Sequence, residues 1–324
     1  MKKALEIFLC VRGENMISVV KKKAKKNELV IKIYDKTLNW YYKYILTDRR
    51  LIKQIFKRKL NRDVELKNPV KYNDKLQWLK LHWKDPLAKR CADKYEVREI
   101  VKERIGSEYL NELIAVYKSV DEIDLKKLPN RFVLKGTHGS GFNIICEDKS
   151  RVNWDEKFKE IKRWFYRDYY WKNREPVYKG IKPRIICEKF LVQNDGEELR
   201  DYRFFCFNGE PKFITVDFSI TDKEKTRRNL YDLQWGLMDA EISYPKEIDI
   251  KVNKPEKLDE MINLSRKLSS GFPHARVDFY YIDNRIIFGE ITFFHQSGVG
   301  KISPEDFEIK MGNWLNIPID TGGN

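Results

Sequence analysis

The chain has 324 residues, a hydrophobic fraction of 42% and a net charge of +15. This length suits one large domain or two to three subdomains. No apolar run reaches membrane-spanning length, and the apolar stretch at residues 4–11 is short and contains Glu6, so the sequence predicts neither a transmembrane helix nor a signal peptide. The five cysteines are scattered without a CxxC pair, which predicts reduced core residues in a cytoplasmic protein rather than zinc ligands or disulfides.

The positive charge is concentrated at the N-terminus. Residues 1–60 contain 17 lysines and arginines against 5 acids, so the other 264 residues carry a net charge of only +3. Such a basic, aromatic-rich segment is either a solvated helical surface or a peripheral contact for an anionic membrane or polymer, and both interpretations stay open. Because the charge is confined to this segment, it does not favour a nucleic-acid-binding protein.

The remaining pattern mixes helices and strands. Helices are predicted over residues 45–60, 73–81, 86–105, 154–170 and 255–270. The helix at 86–105 has Asp85 as a capping residue, Pro86 in its first turn and Gly106 beyond its end. Strands are predicted around residues 132–145 and 184–191, and Asn208-Gly209 between two strand-like runs predicts a tight hairpin.

A glycine-rich segment lies between two strand-like runs at residues 132–145. Lys135 precedes Gly136, Gly139 and Gly141, and glycines that adopt positive φ let backbone N–H groups converge on phosphate oxygens. The lysine comes before the glycines, unlike the lysine of the P-loop pattern. A hairpin that needs glycine for its geometry alone fits the segment equally well. His138 within it is either a phosphate donor or a residue that packs the turn.

A second candidate site lies in residues 276–292, where two apolar runs flank Asp283-Asn284-Arg285. A three-residue loop would pair Ile282 with Ile286 and place Asp278 opposite Glu290 on one face of the hairpin, together with Arg276 and Thr292. A two-residue loop would place the two carboxylates on opposite faces. Opposed carboxylates repel each other unless a cation lies between them, and their hard oxygen atoms suit Mg²⁺. A salt bridge to Arg276 is the alternative.

The order of these parts resembles that of the ATP-grasp superfamily from about residue 66 to 314. Four segments, at residues 73–81, 92–98, 135–145 and 288–295, resemble the TupA-like ATP-grasp family, which is associated with teichuronopeptide and capsular polysaccharide biosynthesis. The resemblance implies an α+β fold in which two α+β subdomains grip ATP between antiparallel sheets. The implied divisions are a basic helical N-terminal extension (1–65), an N-terminal ATP-grasp subdomain (66–130), a lid subdomain (131–191) and a C-terminal subdomain with the metal-binding hairpin (192–324).

The resemblance also implies a role for each candidate residue, with ATP and Mg²⁺ as cofactors. The implied ATP ligands are Lys135, Gly136, His138, Gly139, Ser140 and Gly141 at the phosphates, Glu188, Lys189, Phe190 and Leu191 at the adenine, and Asp201 at the ribose. The implied metal ligands are Asp278, Glu290 and Thr292, the last at a position that is usually asparagine. Arg276 and Lys135 are the implied catalytic residues, Arg276 at the transferred phosphoryl group and Lys135 at the α- and β-phosphates. The segment 136–142 is implied to be a lid that is mobile without nucleotide. A further basic ligand is expected among Lys225, Arg227 and Arg228.

These roles predict a cytoplasmic ATP-dependent carboxylate–amine ligase that proceeds through an acyl phosphate. The expected partners are ATP, a carboxylate-bearing sugar or glycan such as a uronic acid, and an amine, with no nucleic acid. Two alternatives keep some of the same residues. One is a kinase that uses the same ATP site. The other is a glycosyltransferase, although the sequence has neither a DxD triplet nor an early strand–glycine–helix unit.

Overall fold

A computed structural model describes residues 43–193, 199–218, 226–250 and 252–318. The chain divides into two compact units, residues 1–47 and 48–324. Most of the predicted basic extension lies outside the described residues, as do Cys10 and Lys225. The other four cysteines are buried free thiols, as predicted. Within the described ranges, no helix is both long and apolar enough to cross a membrane.

Helices and strands alternate along the second unit, which confirms the predicted α+β class. The helices are α1 (Asp48–Leu60), α2 (Tyr72–His82), α3 (Pro86–Ala92), α4 (Val97–Arg104), α5 (Trp154–Tyr166), α6 (Tyr169–Asn173), α7 (Leu258–Ser269) and α8 (Glu305–Trp314). The strands are β1 (Leu113–Tyr117), β2 (Phe132–Gly136), β3 (Asn143–Cys146), β4 (Ile185–Lys189), β5 (Asp201–Phe207), β6 (Glu210–Phe218), β7 (Arg227–Tyr231), β8 (Glu241–Ile242), β9 (His274–Ile282), β10 (Arg285–Thr292) and β11 (Ile302–Ser303).

The longer strands form two antiparallel sheets. The small sheet has the order β1-β4-β2-β3, and the large sheet has the order β10-β9-β5-β6-β7. Each sheet has its own apolar core: Phe132 and Leu134 of the small sheet pack with α5, whereas Phe204 and Phe279 of the large sheet lie in a core that includes α7. Side chains alternate between the faces of a strand, so Lys135 points away from the core that holds Leu134.

The predicted helix at 86–105 is wrong in one respect, because the structure breaks it into α3 and α4. Asp93 leaves the helical conformation at φ −79° and ψ 115°, and its carboxylate accepts hydrogen bonds from the amides of Tyr95 and Glu96 at 2.8 and 3.3 Å. An aspartate that bonds to nearby amides competes with the helical ladder. The amide of Lys94 instead donates to the carbonyl of Thr137 at 3.3 Å. The break therefore attaches this segment to the glycine-rich loop.

The hairpin of β9 and β10 reaches the predicted pairing of Asp278 with Glu290 by a different route. Its loop has two residues, Asp283 and Asn284, both with left-handed φ, and Ile282 pairs with Arg285 rather than with Ile286. A bulge then inserts Gly289 between Phe288, which pairs with Phe279, and Glu290, which pairs with Asp278. The loop is therefore the two-residue alternative of the sequence analysis. The bulge shifts the register by one residue and returns both carboxylates to one face.

The hairpin of β5 and β6 is the one predicted from Asn208-Gly209. Both residues have positive φ, 50° and 82°, which is what a two-residue turn between twisted strands requires. The predicted helix at 255–270 is present as α7, and Gly271 beyond it has φ +84°.

Gly312 in α8 tests how closely α8 packs on the segment before α2. A Cβ atom at this position would overlap the carbonyl oxygen of Val70. Gly→Ala inside a helix normally stabilises a protein by about 0.5–1 kcal/mol. Here we expect Gly312→Ala to lower the free energy of unfolding by about 1–3 kcal/mol, because the backbone must move apart. Urea denaturation measures the change, and Asn313→Ala, exposed on the same helix, is the control. A stabilised Gly312→Ala protein would contradict this packing.

Candidate active site

Lys135 lies near the end of β2, which with β4 forms the central pair of strands in the small sheet, and the glycine-rich loop follows it. The Lys135 ammonium donates to Glu188 Oε2 at 2.7 Å, and Arg98 donates to the other oxygen of Glu188 at 3.1 Å. The two cations thus share the single carboxylate of Glu188, which is buried. The Lys135 side chain is still 23% exposed, so it has one buried anionic partner and an open side that a phosphate can approach.

The loop after Lys135 uses its glycines in two different ways. Only Gly141 has the positive φ considered from the sequence, at 77°. Gly136 and Gly139 make room for Phe142, because a Cβ atom at either position would lie within 2.9 Å of that ring or its Cβ. The Phe142 ring stacks on Trp164 with centroids 5.7 Å apart. The ends of the loop are therefore anchored to the core of the small sheet.

His138 belongs to the same anchored part of the loop. It is 4% exposed, and its Nε2 lies 2.7 Å from the carbonyl oxygen of Trp164. This packing favours the turn-packing interpretation, and the phosphate-donor role stays a prediction. Ser140 and Gly141 are exposed at the tip. The predicted mobility of 136–142 also stays a prediction, and the anchoring favours movement at the tip alone.

Lys94 connects the loop to the large sheet. Its ammonium donates to the carbonyl of Gly139 at 2.9 Å and lies 3.9 Å from Glu290 Oε2. Burial and the nearby Lys135 lower the pKa of Lys94, and Glu290 opposes that shift. The break between α3 and α4 brings Lys94 here. These contacts place Lys94 in the candidate site.

On the large sheet, Arg276 lies between the two opposed carboxylates. Its Nε and Nη2 donate to both oxygens of Asp278 at 2.7 and 2.5 Å, and Nη2 also donates to Glu290 Oε1 at 2.9 Å. Thr292 donates to the same Glu290 oxygen at 3.0 Å. The salt bridge that was the alternative to a metal site is therefore present. It does not exclude the metal, because Glu290 remains 38% exposed.

The donor set fits a magnesium ion that takes its other oxygens from phosphate. Asp278, Glu290 and Thr292 offer hard oxygen atoms from one sheet face, and Mg²⁺ in nucleotide sites usually takes one or two carboxylates. Within the described residues, no three acids, histidines or cysteines gather to form a closed metal cage. Burial raises the pKa of Asp278 to about 7, whereas Lys94 and Arg276 outweigh burial and lower the pKa of Glu290 to about 2. Of the two acids, Asp278 is therefore the one whose ionised form an added cation would stabilise more.

The same face of the large sheet continues as a buried network of charges that the sequence did not reveal. Arg203 pairs across the strands with Asp278 and contacts Asp217, and Asp217 also accepts two hydrogen bonds from Arg228 at 2.5 and 2.6 Å. Burial opposes ionisation of Asp217, but Arg228 lowers its pKa. Arg228 is 2% exposed and had been one of three candidate phosphate ligands. In the structure it is a structural partner of Asp217.

A family model described as TupA-like ATP-grasp matches residues 74–316. The chain belongs to the TupA-like ATP-grasp family. The match confirms the family predicted from the four sequence segments, and it spans both sheets and all the charged groups described above. No curated protein matches the chain.

Solved structures add distant likenesses. D-alanine–D-alanine ligase from Bacillus anthracis, complexed with ATP, is 13% identical over 63% of this chain and 55% of its own, with a TM-score of 0.38. The Helicobacter pylori enzyme is 12% identical over 76% and 69%, with a TM-score of 0.40. Phosphoribosylamine–glycine ligase from Thermotoga maritima is 13% identical over 71% and 51%, with a TM-score of 0.39. The chain spans little more than half of the first of these, and likeness at this level transfers no residue role.

The remaining predicted ATP ligands of this ATP-grasp chain lie on β4, just after it and on β5. The backbone carbonyl of Lys189 accepts a hydrogen bond from the side-chain amide of Asn111 at 2.9 Å. The backbone N–H of Lys189 donates to the carbonyl of Glu112 at 3.0 Å. Phe190 lies under the guanidinium of Arg131, 4.6 Å from it, and Leu191 follows directly. Asp201 accepts from Arg203 at 2.7 Å on the face that carries Asp278. The adenine and ribose roles stay predictions.

Asp217 tests the buried network. Asp217→Asn removes the charge that compensates two arginines, and breaking a buried ion pair from one side typically costs about 3–5 kcal/mol. We therefore expect its free energy of unfolding, measured in urea, to fall by roughly that amount. Asp239→Asn is the matched control, because the Asp239 carboxylate pairs with Lys246 but is fully exposed. The urea midpoint of this control should not change. Equal midpoints for the two variants would show that the Asp217 network does not stabilise the sheet.

Proposed function

We propose that the protein is an ATP-dependent carboxylate–amine ligase. One observation carries the proposal: in a chain of the TupA-like ATP-grasp family, Lys94 joins the glycine-rich loop beside Lys135 to the sheet face that bears Asp278 and Glu290. Cations from the small sheet and carboxylates from the large sheet then belong to one site. A triphosphate held there lies between the two sheets.

Each residue would act by binding or orienting ATP. Lys135 and the loop amides bind phosphate oxygens, and the exposed tip at Ser140 and Gly141 covers them and excludes water. Asp278, Glu290 and Thr292 would hold magnesium, which, when bound, supplies positive charge next to the transferred phosphoryl group. The positive charge of Arg276 would stabilise the negative charge that develops on the same group. Positioning and electrostatic stabilisation account for most of the catalysis in phosphoryl transfer.

The proposed reaction has two steps. An oxygen of the substrate carboxylate attacks the γ-phosphorus of ATP, and the bond to ADP breaks, which yields an acyl phosphate and ADP. The nitrogen of an amine then attacks the acyl carbon, phosphate leaves, and the amine loses a proton to give an amide. Exclusion of water protects the acyl phosphate from hydrolysis between the steps.

For the carboxylate we propose a uronic acid or a similar acid of a cell-surface polysaccharide, and for the amine an amino acid or small amine. This choice follows from the resemblance seen in the sequence, which implies a role in polysaccharide biosynthesis, and the family match over residues 74–316 supports the resemblance itself. The basic N-terminal segment, with its net charge of +12 over residues 1–60, would place the enzyme beside an anionic polymer or membrane surface.

Trapping with hydroxylamine tests the reaction type. The protein is incubated with Mg–ATP, hydroxylamine and one carboxylate at a time, with uronic acids first. We expect ADP release together with a hydroxamate, because hydroxylamine attacks an acyl phosphate as the amine would. A sugar phosphate instead of a hydroxamate would identify a kinase. Transfer from a nucleotide sugar without ADP formation would identify a glycosyltransferase.

Two substitutions test the site. We expect Lys135→Ala and Asp278→Asn each to lower kcat for ATP turnover by at least about 100-fold, the usual cost of removing a transition-state contact. Lys212→Ala, an exposed lysine on β6 of the large sheet, and Asp239→Asn are the matched controls and should retain wild-type turnover. Circular dichroism confirms that each variant is folded. Wild-type activity in either site variant would refute the roles proposed for these residues.

A further inference from the structure

His295, three residues after the end of β10, lies between the guanidinium groups of Arg276 and Arg228. Its Nδ1 is 2.7 Å from Nη1 of Arg276, and its Nε2 is 3.4 Å from Nη1 of Arg228. A guanidinium has only donors, so the close Nδ1 atom must be the acceptor of the Arg276 hydrogen bond. A neutral imidazole has one acceptor, and its proton is therefore on Nε2. Burial and the charges of Arg276 and Arg228 lower the pKa of His295 well below its usual value, which keeps the ring neutral.

His274, at the start of β9, has the opposite arrangement. Its Nδ1 lies 2.7 Å from the carbonyl oxygen of Phe293 and must donate, while its Nε2 lies 2.9 Å from the Tyr72 hydroxyl and accepts. Burial lowers the pKa of His274 to about 4, so this ring is neutral as well. Two buried, neutral histidines of one core thus carry their protons on different nitrogen atoms.

The turn after His295 holds the ring in place. Gln296 and Ser297 have left-handed φ values of 46° and 57°, which ordinary residues adopt only where their surroundings impose them. The buried ammonium of Lys80 donates to the Ser297 carbonyl and hydroxyl at 2.8 and 2.7 Å, and Gln77 donates to the Ser297 carbonyl at 3.0 Å. Both donors come from α2. Helix α2 thereby fixes the backbone next to His295.

We propose that His295 is a positioning residue, whose unprotonated Nδ1 orients the Arg276 guanidinium so that Nε and Nη2 remain on Asp278 and Glu290. Arg276 has three nitrogen atoms, and each has a fixed acceptor: Nε and Nη2 on the carboxylates, and Nη1 on the imidazole. Without the imidazole, Nη1 loses its acceptor and the guanidinium is held by the two carboxylates alone, so Nε and Nη2 can shift on them. This inference rests on the function proposed above, in which Arg276 acts on the transferred phosphoryl group.

The proton position is tested by ¹⁵N NMR of protein labelled at histidine. The chain has four histidines, so each signal is assigned by replacing one histidine at a time. We expect His295 to carry its proton on Nε2 and His274 on Nδ1 in the same ligand-free sample. His274 is therefore the internal control. A proton on Nδ1 of His295 would overturn the proposal, whether or not the protein proves to be a ligase.

Two amides that mimic the two imidazole nitrogen atoms test the positioning role. Asn at position 295 places its side-chain oxygen near the Nδ1 position, whereas Gln places it near the Nε2 position. Outer-shell partners typically cost 10–100-fold when lost, so we expect His295→Gln to lower kcat by about 10–100-fold with less change in the KM for ATP. His295→Asn should stay within about 3-fold of wild type. Both variants should have similar midpoints in urea.

A readout independent of activity uses the Arg276 Nε–H signal, which is identified by its loss in Arg276→Lys. We expect slow hydrogen exchange at this group in the wild type and in His295→Asn, and faster exchange in His295→Gln. Equal exchange rates and equal kcat losses in the two amide variants would overturn the positioning role. If the wild type turned over no ATP with any carboxylate, the proposed function would fail, and the proton position and exchange rates would still decide the role of His295.

Discussion

The site depends on one constraint, the bulge that places Asp278 and Glu290 side by side on the large sheet. A two-residue loop and a regular ladder would direct these carboxylates to opposite faces. Gly289 absorbs the extra residue, and a Cβ atom there would lie 3.1 Å from the carbonyl oxygen of Asp278. Two acids forced together need a cation, and Arg276 supplies one from within the same strand pair. The orientation of Arg276 and the charge on both acids follow from this arrangement.

The charges of the large sheet are organised as alternating partners across its strands. Asp278 faces Arg203, Asp217 faces Arg228, and each arginine has more than one acceptor or ring nitrogen within reach. A buried ion pair contributes little net stability when its desolvation is counted, but removal of one member is costly. The network therefore fixes the positions of side chains more than it strengthens the fold. Such fixed positions are what a phosphoryl-transfer site requires.

Local signals in the sequence predicted much of the fold. The Asn-Gly turn and the Gly271 helix stop depend on residues that are adjacent in the chain, and both are present. The sequence left the loop of the β9–β10 hairpin open between two and three residues and did not predict the bulge at Gly289. The break at Asp93 was missed because a capping aspartate inside a periodic apolar pattern looks like a solvated helical residue. The partners of Asp93 and Lys94 are Arg184, just before β4, and Thr137 of the loop, which lie about 40 to 90 residues away in the chain.

Arg203 and Asp217 illustrate a different limit. In the sequence they alternate with apolar residues, as any solvent-facing strand residues do. They join the site only because β5 lies between β9 and β6, an order that no local pattern encodes. Given that order, the rule that cross-strand partners share a face places Arg203 beside Asp278. Strand order was thus the missing information, and residue type was not.

A triphosphate that entered the proposed site would meet cations that already have partners. Lys135 is bound to Glu188, Lys94 to the Gly139 carbonyl, and Arg276 to both carboxylates. Binding of phosphate therefore exchanges or shares acceptors, and the gain in affinity is smaller than the number of positive charges suggests. The compensation is geometric, because partners on the protein hold each cation in place before the nucleotide arrives. Catalysis depends on donors that need no reorganisation when charge develops, so in the proposed reaction the acids that weaken binding of ATP would also prepare the site.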